Sequence, residues 1–153
     1  MAADLHLTEL AKKLYPYLEP DFLNLRSGYD LASYTPTYVG GTTAGATTYT
    51  TQSGHYVRFG PLVVVQCIVI WTAATGTGEA RISLPFTSAT SNGNAYPSLW
   101  YQNVTFGALP PIAVVNANND YARLYTPANN AGSTVINVEA AGDIRFTVAY
   151  RIA

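Results

Sequence analysis

Residues 54–73 read GHYVRFGPLVVVQCIVIWTA, and the reading of this stretch decides the fold. Gly54 and Gly60 bracket a short run, and Pro61 opens the next with a fixed φ and no ladder donor. From Leu62 to Trp71 every residue but Gln66 is apolar. A run of this length that is apolar on both faces reads as a central strand buried on both sides. Such a strand needs a second sheet or another subunit lying over it.

Working outward, the C-terminal stretch 144–152, IRFTVAYRI, alternates strictly. Ile144, Phe146, Val148, Tyr150 and Ile152 share one face, and Arg145, Thr147, Ala149 and Arg151 the other. Around 134–139 the alternation is weaker, with Val135 and Asn137 opposing Ile136 and Val138. Candidate strands cover 33–39, 46–52, 54–59, 62–73, 78–84, 98–105, 111–116, 120–126, 134–140 and 144–152. Turn residues separate them, among them Gly40-Gly41, Ser53-Gly54, Gly60-Pro61, Thr75–Gly78, Asn118-Asn119 and Asn129-Asn130. Leu84-Pro85-Phe86 leaves the sheet sharply, because proline holds the preceding residue extended, and Phe86 is placed to plug the end of the core. The pattern predicts an all-β fold, an antiparallel β-sandwich or jelly roll, over residues 32–153.

Composition agrees. Of 153 residues only 11% are charged, and polarity rests on Thr, Asn, Gly and Tyr, with twelve Tyr and twelve Gly. Thr and Tyr suit a pleated, half-buried surface, while Gly and Asn supply turns. Net charge is -1, and the β region carries five Arg against four acids (Glu79, Asp120, Glu139, Asp143) with no basic cluster. That argues against nucleic acid as a partner. One cysteine, Cys67, excludes an intrachain disulfide, and no apolar run is long enough for membrane insertion.

The N-terminal segment, 1–31, is different in kind. Asp4 is a helix N-cap candidate, and Leu7, Leu10, Ala11 and Leu14 follow i, i+3, i+4, i+7 spacing, with Pro16 ending the helix. An isolated helix shorter than ~12–15 residues is marginal in water. Its stripe therefore needs something to pack on. Leu7, Leu10, Leu14, Leu18, Phe22 and Leu25 are the candidate docking residues.

Catalytic chemistry is sparse. The two histidines, His6 and His55, are far apart, no G-x-S-x-G elbow occurs, and Cys67 sits in the most apolar run. Glycoside cleavage needs two carboxylates about 5–9.5 Å apart. The four acids of the β region fall on separate elements, which disfavours a polysaccharide-degrading enzyme. No metal-ligand spacing is present, no cofactor is implied, and Gly76 and Gly78 make no dinucleotide fingerprint because Arg81 stands where the third glycine belongs. The expectation is a non-enzymatic protein. Tyr96, Trp100 and Tyr101, beside the amides of Asn92 and Asn94, form a candidate platform for stacking on neutral glycan rings. The same three also read as half-buried packing aromatics with a wet edge.

The segment Tyr34–Ser88 resembles small β domains of tailed-phage virion proteins, found at the C-terminal ends of tail fibres. The resemblance rests on the order of Tyr34-Thr35-Pro36, a Thr-rich strand, Gly54–Gly60, Leu62–Val65, and Gly76–Ser88 with its I-x-L-P-F-T-S ending. It covers about a third of the chain, and the last strand extends it loosely. The resemblance implies a homotrimer that docks to other virion proteins through its N-terminal segment and turns its β domain toward host cell-surface glycan. A virion location after synthesis in the host cytoplasm follows, as a tail fibre or receptor-binding knob. The alternative is a capsid decoration (cement) protein clamping the head. The sequence departs from a long fibre in showing no shaft-like stretch, so a short adaptor, tip or surface knob is the expectation.

Overall fold

The computed structural model describes residues 29–91, 93–105 and 109–152. Among these the chain forms ten strands: β1 (Tyr29–Tyr34), β2 (Tyr38–Gly40), β3 (Thr47–Phe59), β4 (Leu62–Ala74), β5 (Ala80–Ser83), β6 (Ser98–Gln102), β7 (Ile112–Val115), β8 (Tyr121–Ala128), β9 (Ala131–Val135) and β10 (Gly142–Arg151). They build two antiparallel sheets in a sandwich-like arrangement. The first runs β1-β3-β4-β10-β6; the second runs β2-β5-β8-β7, with β9 added onto β8. No helix occurs among the described residues, and the helix expected near the N-terminus, with its six docking residues, lies outside them.

β4 is the middle of the first sheet, as its composition predicts, flanked by β3 and β10. Val63, Val65, Cys67, Val69 and Trp71 face the second sheet and are buried, as are Ile144, Phe146, Val148 and Tyr150 on β10. The opposing sheet contributes Tyr38, Ala80, Ile82, Ala113, Val115, Ala122 and Leu124. Returning one such aliphatic side chain to water costs roughly 1.5–3 kcal/mol. A one-residue slip of β4 would turn the whole row outward, so its register is fixed by burial.

The structure refines these readings. Among the described residues a sheet covers β4 on one face; on the other, Val64, Ile68 and Ile70 are half-buried and Leu62 is exposed. Residues 46–59 are also not two strands with a turn at Ser53-Gly54, because β3 runs unbroken through Gly54. The reason is packing: a Cβ at Gly54 would lie 2.2 Å from Cε1 of Tyr34, whose ring crosses that position. This glycine makes room for a neighbour rather than a bend. β1 begins at Tyr29, so residues 29–31, read from sequence as the end of the N-terminal segment, are the first rungs of the sheet.

The two ends of the sandwich are closed differently. At one, Phe86 plugs the core as expected: it packs edge-on to Tyr56 at 4.9 Å, and its carbonyl accepts a hydrogen bond from the Tyr150 hydroxyl at 3.0 Å. At the other, Tyr38 and Trp71 stack with ring centroids 4.0 Å apart. Trp71 Nε1 donates to the Glu139 carbonyl at 2.9 Å, while the Glu139 amide donates to the Tyr38 hydroxyl at 2.9 Å. One peptide segment is thus held at both its polar groups by a stacked pair drawn from the two sheets. Nearby, Gly45 (φ 70°) lets residues 40–46 cross residues 75–78 at backbone contact, where Thr42 and Thr43 pair with Thr77.

Candidate functional site

The outward face of the first sheet carries three rungs across β4, β10 and β6: Gln66–Thr147–Ser98, Ile68–Arg145–Trp100, and Ile70–Asp143–Gln102. Period-two alternation places these side chains on one surface, because their neighbours Cys67, Phe146 and Ile144 fill the core. The first two rungs, Gln66, Thr147 and Ser98 with Ile68, Arg145 and Trp100, line a groove of about 340 Å³, and the third lies beside it.

Arg145 organises it. Its Nε and Nη2 donate to the two oxygens of Asp143 at 3.0 and 2.9 Å, a fork-to-fork pair that fixes the guanidinium plane. These hydrogen bonds push the Arg145 pKa up from its ordinary value. The guanidinium carbon sits 4.8 Å from the Trp100 ring centroid, a cation–π contact. Trp100 is held on one side by this contact and is still 49% exposed. The groove thus combines a positioned indole with an amide, two hydroxyls and a charge-neutral ion pair. That chemistry suits a ring-shaped, hydroxyl-rich, uncharged ligand, stacked on the indole and hydrogen-bonded at its edges.

Of the residues singled out by sequence, Trp100 lies in this groove. Tyr96 is 75% exposed in the segment leading into β6. Tyr101 pairs with Ile144 and packs half-buried against the core, on the face opposite Trp100. The three are therefore not one platform. Sequence reasoning missed Arg145, Gln66 and Thr147 as partners of Trp100. The alternation of β10 shows Arg145 and Thr147 facing outward, but only strand pairing brings them beside β6.

Other chemistry is thin. Ser53 Oγ and His55 Nε2 are 3.5 Å apart on β3, too far for a firm hydrogen bond, and the residues beside His55 on its rung are Ser33 and Gln66, not a carboxylate. Among the described residues no three His, Cys, Asp or Glu side chains gather as metal ligands. Cys67 is buried and its thiol is pushed up to about 12 by desolvation.

No protein-family profile matches the chain, and no curated protein matches its sequence. Its fold is similar to part of the crystal structure of the Dettilon tailspike protein, with a TM-score of 0.64 at 16% identity over 80% of this chain. The chain spans 24% of that protein's length, and the likeness is one of fold.

Proposed function

We propose that this chain is a structural protein of a phage virion, associated with the tail, whose β-sandwich presents the Trp100 groove to glycans of the host surface. The observation that carries this reading is the indole of Trp100, held in place by Arg145 and exposed within a groove of amide and hydroxyl groups. The tailspike-like fold and the motif order of Tyr34–Ser88 supply the virion context. In this reading the protein is a homotrimer, its N-terminal segment docks to other virion proteins, and it binds without cleaving. Light scattering of the purified protein tests the trimer, and release of reducing ends from host polysaccharide would overturn the non-enzymatic part.

The direct test is binding of the purified protein to host envelope glycans. Trp100→Ala should weaken it about tenfold, the value of one lost aromatic stacking contact. Tyr101→Phe, altered on the inner face, should leave it unchanged. Equal affinity of Trp100→Ala and the native chain would remove the groove from the argument.

A second reading, capsid decoration, draws on a different observation. Leu31 and Leu62 are 63% and 42% exposed on the outward face of the first sheet, and a protein that clamps its neighbours buries such side chains. Imaging of labelled copies on the particle separates the two: a handful at the tail supports the fibre reading, and many over the head supports decoration.

A further inference from the structure

The outward face of the second sheet carries a different kind of site. One rung across β2, β5, β8 and β7 reads Val39–Arg81–Arg123–Val114. Two guanidinium-bearing residues are therefore direct cross-strand partners, an arrangement that like-charge repulsion disfavours. The only acid that bridges them among the described ion pairs is Glu79. Its Oε1 accepts from Arg81 through Nε at 2.7 Å and through Nη2, and lies 3.3 Å from Arg123 Nε. That Arg123 Nε is shielded from solvent and makes no hydrogen bond.

Tyr121 completes the cluster. Arg81 lies 4.4 Å from its ring centroid and Arg123 5.3 Å, and its hydroxyl accepts from Arg123 Nη2 at 2.8 Å. Burial alone lowers the Arg123 pKa, but hydrogen bonds with Tyr121 and Tyr125 and the charge of Glu79 outweigh it, so the Arg123 guanidinium stays charged. The side chains of Arg81 and Arg123 are 29% and 25% exposed. Two cations share one carboxylate, which leaves a single positive charge in excess, positioned by an aromatic ring and reachable from solvent.

We propose that Arg81, Arg123 and Tyr121 form a second binding site, for the carboxylate of an acidic sugar unit such as a uronic acid, on the sheet face opposite the Trp100 groove. One surplus charge matches a monoanion better than a doubly charged phosphate. A planar carboxylate fits the guanidinium fork in two-point fashion. Half-buried Val39 and Val114 flank the arginines, and Tyr121 and Tyr125 stand beside them on β8, so a sugar ring attached to that carboxylate meets apolar edges and phenol hydroxyls. An acidic peptide presents the carboxylate on a flexible stem and uses none of these flanks.

The sign of one substitution separates a binding site from a structural ion-pair network. Glu79 competes with the ligand for the same guanidiniums, so Glu79→Gln should tighten binding of sodium glucuronate at least ~3-fold, read by NMR titration of the arginine side-chain signals. Arg123→Lys keeps the charge and loses the fork, and should weaken it by about tenfold. Glucose should leave the Arg81 and Arg123 signals unshifted, and Trp100→Ala should leave the glucuronate response of those two signals intact, which keeps this site's test apart from that of the groove. The proposal is overturned if glucuronate fails to bind both the native chain and Glu79→Gln. It is equally overturned if Glu79→Gln lowers thermal stability with no gain in affinity, or if inorganic phosphate or polyglutamate binds more tightly per carboxylate or phosphate than glucuronate does.

Discussion

The hydroxyl of Tyr34 is shielded from solvent beside the thiol of Cys67, and no firm hydrogen bond satisfies it. Leaving a buried polar group unpaired costs about 1–3 kcal/mol. Tyr34→Phe removes that group and keeps the ring over Gly54, so it should raise stability by about 1 kcal/mol, seen as a higher urea midpoint at unchanged slope. A lower midpoint would mean that the hydroxyl has a partner. The Cys67 thiol beside it is pushed up from 9.0 to about 12 by burial, and the Tyr38 hydroxyl is likewise pushed up to about 12. Each group is favoured neutral by the fold, so its contribution is complete below its unfolded pKa and is lost as pH climbs toward 12. Unfolding free energy should therefore fall as pH rises from about 9 toward 12, and the fall should be smaller in Cys67→Ala. A native thiol-reagent assay at pH 8 should find Cys67 inert until the protein is unfolded. The apolar neighbourhood of Cys67 was readable from LVVVQCIVIW, but the Tyr34 ring above it was not, because β1 meets β4 only across the width of β3.

At the scale of the strand, β3 shows how a glycine misleads. Ser53-Gly54 carries the signature of a turn, and the chain instead runs straight through it for 13 residues. What a sequence shows is the missing side chain; what fills the gap comes from another strand. Gly54→Ala should therefore destabilise by about 1–3 kcal/mol, as overpacking does. Combining it with Tyr34→Ala should return part of that loss, with a coupling of about 0.5–3 kcal/mol in a double-mutant cycle. Simple additivity would show that the two do not meet. β4 and β10 were legible because their patterns are set by burial alone. The Trp100 groove was legible in one of its parts, since aromatic residues announce themselves, while Arg145 looked like any outward charge until β10 paired with β6.

For the molecule as a whole, both ends of the sandwich are closed by aromatic side chains, Phe86 with Tyr56 and Tyr150 at one, and Tyr38 with Trp71 at the other. The second covering layer expected over the outer face of β4 is not supplied by the described residues, and Leu31, Leu62, Ile68 and Ile70 stand partly or largely open there. The chain is low in charge, 11% of its residues, and half of the charged residues among those described gather at two places. Arg145 with Asp143 holds the groove on one outer face, and Arg81, Arg123 and Glu79 make the cluster on the other. Charge here marks positions rather than coating a surface.

The stacked Trp71 has a spectroscopic consequence. The chain holds two tryptophans, one 2% exposed against Tyr38 and the other 49% exposed beside Arg145. Their fluorescence should separate into a fraction closed to acrylamide and a fraction open to it, with Trp100→Phe removing the open one. Ligand in the groove should shield the open fraction while the closed one stays constant until the sheets part. The protein thus carries its own pair of reporters, one for occupancy and one for integrity. A glycan titration that quenches or shifts both together would show that binding reaches through the first sheet to its inner face.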